Sequence, residues 1–194
     1  MFSIKDRSAG EYKEVTQKLI QQIYQLDEIL DTLIVISDLR KETETMIPLR
    51  IDELLWEIID KISESYNHPK IEVNIDIEPE DEPMLSITKN RTQLFMALFN
   101  LIDNAVKYSP GKPVEIRLYN EDEHLQLSIT DKGIGIPPNQ LEHISKPFYR
   151  ADNARQIQGS GIGLSIALLI LEKNQIKYHI HSETGTGTCV LLSL

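Results

Sequence analysis

Three short stretches hold residues whose types and spacing can do chemistry. Asp131-Lys-Gly-Ile-Gly-Ile-Pro137 follows an alternating run, His124-Leu-Gln-Leu-Ser-Ile-Thr130, that predicts a strand with one buried face. Asp131 is thus expected at a strand end, facing a turn. Gly133 and Gly135 carry no β-carbons to keep a flat ligand off the backbone, and a carboxylate beside them can accept a hydrogen bond from an exocyclic amine such as that of adenine. The same spacing also makes plain turns. Asn100 and Asn104 are one helical turn apart and Lys107 is three residues further, so all three share one helix face. Two amide oxygens there can help hold a hard cation such as magnesium, which keeps water and phosphate as its other ligands, while the lysine offers a point charge to phosphate. An exposed asparagine pair is the blander reading. Gly159-Ser-Gly-Ile-Gly-Leu164 leads into an apolar run that predicts a helix from near Ile162, and amides at such a helix start cradle phosphates. The spacing fits neither the Walker A loop nor the dinucleotide fingerprint of a βαβ unit.

The surrounding pattern predicts the elements that must position these groups. Glu11 to Glu42 lacks Pro and Gly, and Tyr12, Val15, Leu19, Leu26, Ile29, Leu33 and Ile36 recur with a/d spacing broken only at Gln22. That predicts a helix of roughly 45 Å whose stripe needs partner helices, the blander reading being a helix packed lengthwise on its own domain. Pro48 marks a boundary, Leu49 to Ile51 a short strand, and Asp52 the cap of a helix burying Leu54, Leu55, Ile58, Ile59 and Ile62. Ile71 to Ile77 alternates as a strand, Glu78 to Pro83 is an acidic turn, and Met84 to Ile87 is a short strand. Asn90 to Tyr108 is a helix with Leu94, Leu98, Leu101, Ile102 and Ala105 on its core face. A hairpin follows, Val114–Tyr119 with Leu125–Ile129 through Asn120 to Glu123; then come a short helix over 137–145, irregular chain over 146–161, a helix to Asn174, and a closing hairpin of 176–181 with 188–194. The expected fold is α+β: a two-layer sandwich of a mixed, mostly antiparallel sheet with helices on one face, preceded by a long N-terminal helix. The expected division is 1–45 for that helix and 46–194 for the sandwich.

At 194 residues with net charge -10, the chain argues against nucleic acid or an anionic membrane as its partner. Its one cysteine, Cys189, lies in an apolar run and is expected to be a buried small hydrophobe. No apolar run of membrane-spanning length and no signal-peptide core is present, so a cytoplasmic chain is expected.

In this order the segments resemble the catalytic and ATP-binding domain of sensor histidine kinases. Asn100-Leu-Ile-Asp-Asn-Ala-Val-Lys-Tyr-Ser109 resembles the N box, Asp131 to Gly135 the G1 box, Pro147-Phe-Tyr-Arg150 the F box, Gly159 to Leu164 the G2 box, and Gly185-Thr-Gly-Thr188 the closing motif. The resemblance runs from about Pro48 to Leu194 and implies ATP and magnesium as cofactors. It implies that Asp131 reads the adenine amino group, with Thr188 helping through water and Tyr108 against the base. It implies Asn100 and Asn104 at the metal and Lys107 at the phosphates. Gly161 and Gly163 would cradle the triphosphate, with Gly133, Gly135, Gly159 and Leu164 also in the nucleotide site. Residues 148–161 would form a lid anchored by Phe148, with Arg150 or Arg155 reaching the γ-phosphate. The catalytic set would be Asn100, Lys107 and Arg150. Gyrase-type relatives carry a glutamate base where this chain has Asn100, so transfer is expected over hydrolysis.

The first helix resembles the second helix of the dimerisation and phosphotransfer hairpin. A His-Glu-x-x-Thr-Pro type acceptor motif is missing, and all five histidines (His68, His124, His143, His179 and His181) fall within the ATP-binding part. The resemblance therefore implies a histidine kinase whose acceptor histidine lies outside this chain, so that this chain alone cannot autophosphorylate. Its expected partners are an acceptor hairpin, a response regulator and a second copy through the first helix, and its parent protein is expected to be a membrane sensor. An ATP-sensing interaction module without transfer is the alternative.

Overall fold

Apolar/polar alternation along each chain segment builds a five-stranded sheet at the centre of the computed structural model, which describes residues 10–13, 15, 16, 19, 20, 22, 23, 46–78 and 83–194. In chain order the elements are β1 (Ile47–Arg50), α1 (Ile51–Ser65), β2 (Ile71–Asp76), β3 (Ser86–Lys89), α2 (Arg91–Tyr108), β4 (Val114–Glu121), β5 (His124–Asp131), α3 (Gly163–Lys173), β6 (Lys177–Glu183) and β7 (Gly187–Ser193). The sheet runs β2-β4-β5-β7-β6; β2 and β4 are parallel and all other neighbours antiparallel, while β1 and β3 form a separate antiparallel pair. The α+β sandwich with a mixed, mostly antiparallel sheet is thus the fold observed.

Register decides what faces the helices. Ile116 pairs with Ile129, and Ile129 with Val190, so the apolar positions of three strands form one continuous buried row. Against it α2 packs Leu94, Ala97, Leu98, Leu101, Ile102 and Ala105, all buried. Each fully buried leucine or isoleucine contributes about 1.5–3 kcal/mol. The same alternation carries Asp131 inward as the last residue of β5, opposite Val114. A carboxylate therefore ends an apolar row.

Several expectations shift. Asp52 does not cap α1: Arg50 occupies the N-cap without a side-chain cap bond, and Asp52 in the first turn accepts from Arg50 Nε at 3.1 Å and Nη2 at 2.8 Å. The paired arginine holds the Asp52 carboxyl below its usual range. Cys189 is only half-buried, because it alternates with Thr188 and Val190 and so falls on the sheet face away from the helices, opposite His181 and Thr130. The expected short helix over 137–145 is a 3-10 helix, Pro138–His143. Of the expected first helix, every described residue from 10 to 23 is helical, with Tyr12, Leu19, Ile20 and Ile23 exposed; the remainder to Glu42 lies outside the described residues, as does the acidic turn at 79–82.

The β4–β5 turn is tighter than the expected four-residue loop. Only Asp122 and Glu123 are unpaired, with φ of 51° and 61°, the positive pair that a two-residue type I′ hairpin demands. Aspartate tolerates that region, whereas glutamate does so poorly. Glu123→Gly should therefore stabilise the protein by about 0.5–1 kcal/mol in urea unfolding, and a loss of stability would refute the turn assignment.

Candidate functional site

The site is assembled from α2, the end of β5, the start of α3 and β7. Asn90 caps α2 by accepting from the Gln93 amide at 2.9 Å, which starts the helix in the register that directs Asn100, Asn104 and Lys107 to one side. Asn100 Nδ2 donates to the Met96 carbonyl one turn back at 2.8 Å, so its Oδ1 is the end presented to α3. There a β-carbon at Gly163 would stand 2.5 Å from Asn100 Oδ1. An oxygen directed across such a gap is the group a hard cation requires.

Asp131 is 8% exposed and its Oδ1 accepts from the Gly133 amide at 2.7 Å. Burial raises its carboxyl above the ordinary 3.8, against the lowering effects of the Gly133 and Thr188 amides and of Lys112. The turn after it is stitched on both sides. The Ile134 amide donates to the Tyr108 carbonyl at 3.1 Å, the Gly185 amide donates to the Ile134 carbonyl at 2.8 Å, and the Ile136 amide donates to Ser182 Oγ at 2.9 Å. A β-carbon at Gly133 would run into the Tyr108 carbonyl oxygen, so the glycine lets the turn close on the end of α2.

Asn100, Asn104, Lys107, Tyr108, Asp131 and Thr188 line one cleft, and Gly135, Arg150, Gly161, Gly163 and Leu164 complete its wall. The cleft opens to solvent along one side. Gly133, Gly159 and Phe148 stand outside the lining; Gly133 supports the turn and Gly159 approaches Lys107 Nζ. The Phe148 side chain is exposed, at 66%. The Phe148 backbone ties the two ends of the 148–161 segment, at φ 65°, the amide donating to the Gly161 carbonyl at 3.0 Å. Arg150 Nη2 donates to the carbonyls of Ala154 and Ile157, and Arg155 pairs with Asp152 at 2.9 Å, so both arginines are engaged within their own segment.

Other groups of the site were not singled out from the sequence. Ser182 is buried, with its Oγ 2.8 Å from Thr188 Oγ1 and donating to the Gly187 carbonyl at 3.0 Å. A polar residue on the inward alternation of β6 was the available signal. Asn153 donates to the Gly135 carbonyl at 2.8 Å, and Gln140 and Asp152 exchange bonds of 2.6 Å and 2.9 Å. Nothing in their local spacing announces these contacts, which join two short 3-10 helices to each other and to the turn after β5. Among the described residues no cluster of three His, Cys, Asp or Glu is arranged to hold a metal, and no helix is long and apolar enough to cross a membrane.

Residues 89–194 match the family described as histidine kinase-, DNA gyrase B- and HSP90-like ATPase. The sensor-like histidine kinase SenX3 of Mycobacterium tuberculosis is 29% identical over 187 residues, covering 94% of this chain and 45% of the relative. The histidine protein kinase SaeS of Staphylococcus aureus is 32% identical over 192 residues, covering 95% of this chain and 53% of the relative. The chain thus spans about half the length of these curated relatives. Among solved structures, the mycobacterial sensor histidine kinase MprB superposes with a TM-score of 0.63 at 27% identity, covering 77% of this chain and 96% of that one. The matched span contains every element of the cleft, from the cap of α2 to β7, and the chain belongs to the histidine kinase-, DNA gyrase B- and HSP90-like ATPase family as a histidine kinase catalytic and ATP-binding domain.

Proposed function

We propose that this domain binds Mg-ATP and transfers the γ-phosphoryl group to a histidine outside the chain. One observation carries the reading: a buried carboxylate, the Asn100–Asn104–Lys107 face and an uncapped helix start converge on a single cleft. The donor set fits the nucleotide. Asp131 accepts from the adenine amino group, Thr188 assists through water, and Tyr108 lies along the base. Asn100 and Asn104 offer amide oxygens to magnesium, and Lys107 offers its ammonium to phosphate. At the start of α3, the N-cap Ile162 gives no side-chain cap bond, which leaves the first-turn amides for phosphate oxygens. When bound, the metal neutralises charge that develops on the β- and γ-phosphates.

In the transfer, the bond from the γ-phosphorus to its bridging oxygen breaks, a bond to an imidazole nitrogen forms, and ADP leaves. Asn100 cannot deprotonate water as a carboxylate does, which favours transfer over hydrolysis. For Arg150 or Arg155 to reach the γ-phosphate, the 148–161 segment must release the bonds that now hold them. None of the five histidines, all of them described, lines the cleft, which supports an acceptor supplied by a hairpin of the same parent protein or of a partner kinase. A response regulator then receives the phosphoryl group, dimerisation involves the first helix, and the domain works on the cytoplasmic side of a membrane sensor.

Calorimetric titration with ATP, with and without magnesium, followed by addition of an acceptor-histidine hairpin and γ-labelled ATP, tests this reading. Binding followed by acid-labile labelling of the hairpin is expected. Binding without transfer would turn the assignment to an ATP-sensing module, and absence of binding would overturn the nucleotide site.

A further inference from the structure

Asp103 brings a negative charge into the wall of a cleft read above as a triphosphate site, and this inference rests on that reading. It lines the cleft with Asn100, Asn104 and Lys107, on the same side of α2. Its position is set from another helix: Tyr66, which closes α1, donates its hydroxyl proton to Asp103 Oδ1 at 2.8 Å. Burial, and then the charge of Asp103, push the Tyr66 hydroxyl far above the usual tyrosine value, so it remains a donor at any physiological pH.

A neutral amide could also accept from Tyr66, and it would spare the cleft a charge. A fixed carboxylate there repels a polyanion unless a cation joins it. A carboxylate offers about four lone-pair positions, so one that accepts from a tyrosine can also accept from water. Magnesium keeps several waters when it binds phosphates, and carboxylates that accept from such waters orient the ion. We propose that Asp103, held by Tyr66, is a positioning residue for the divalent cation, accepting hydrogen bonds from its bound water.

Calorimetry of ATP binding to wild type, Asp103→Asn and Tyr66→Phe, each with and without magnesium chloride, tests the assignment. Magnesium should tighten ATP binding to wild type, and the Asp103→Asn change should cut that enhancement about tenfold. The same variant should bind magnesium-free ATP about threefold tighter, because a repulsion is gone. Tyr66→Phe keeps the charge, so it should lose part of the magnesium enhancement without any gain in magnesium-free affinity. A purely structural staple predicts otherwise: equal changes with and without magnesium, or loss of magnesium-free binding in Asp103→Asn, would overturn the proposal. Wild-type binding that ignores magnesium would also overturn it while leaving the nucleotide site standing, whereas no ATP binding by wild type would overturn both.

Discussion

Asp131→Asn is expected to weaken ATP binding by between about 100-fold and 1000-fold while leaving the fold in place. A hydrogen bond to a charged acceptor contributes roughly 1.5–3 kcal/mol, and a buried mismatch adds a further penalty of similar size. Asparagine cannot escape that mismatch. Its oxygen can keep the 2.7 Å bond from the Gly133 amide only by turning its NH₂ toward the adenine amine, donor against donor. The reverse orientation sets the NH₂ against the Gly133 amide. Calorimetry measures the affinity and thermal unfolding the fold, and an unchanged affinity would remove Asp131 from the base pocket.

The same residue dictates a pH dependence. Burial places its folded-state value above 3.8, so its contribution to the stability of the unliganded protein is fully present below 3.8 and lost as pH rises through the raised value. Nucleotide reverses the balance, since the amine needs the ionised acceptor. The thermal upshift produced by ATP should therefore shrink as pH falls through that window, and should lose this dependence in Asp131→Asn.

Much of this site was legible because it follows short-range periodicity. Alternation from His124 to Thr130 located the strand that Asp131 ends, and 3.6-residue spacing put Asn100, Asn104 and Lys107 on one face of α2. What escaped depends on groups far apart in the chain. The Tyr66–Asp103 bond spans 37 residues, and the Ser182 contact to the Ile136 amide spans 46. Local patterns do not encode such meetings. Cys189 escaped for a different reason: an apolar run suggested burial, yet a strand presents successive residues to opposite faces, and only the register of β7 against β5 shows which face is covered. The Phe148 ring stayed illegible because the 3-10 and irregular chain around it has no period to read.

Gly135→Ala is expected to destabilise the protein by about 3 kcal/mol or more, while Gly185→Ala, across the same junction, should cost about 1 kcal/mol. Both glycines have positive φ, 61° and 82°, so both alanines carry the same backbone strain. Their surroundings differ. A β-carbon at Gly135 would collide with the Glu183 carbonyl and stand 3.0 Å from Thr184 Cα, whereas one at Gly185 meets nothing within 4 Å. The collision is with backbone, which cannot turn aside as a flexible side chain can, so either the turn after β5 or the β6–β7 hairpin must move. That hairpin carries Ser182, Thr188 and the amide that donates to Ile134, so Gly135→Ala should also weaken nucleotide binding, as Gly185→Ala should not. In melting temperature the difference of about 2 kcal/mol between the variants corresponds to roughly 4–8 °C for a chain of this size. Equal melting temperatures would mean that strain alone requires a glycine at position 135. A split of that size would mean that the site depends on two strand ends touching backbone to backbone, a contact that a β-carbon at position 135 would block.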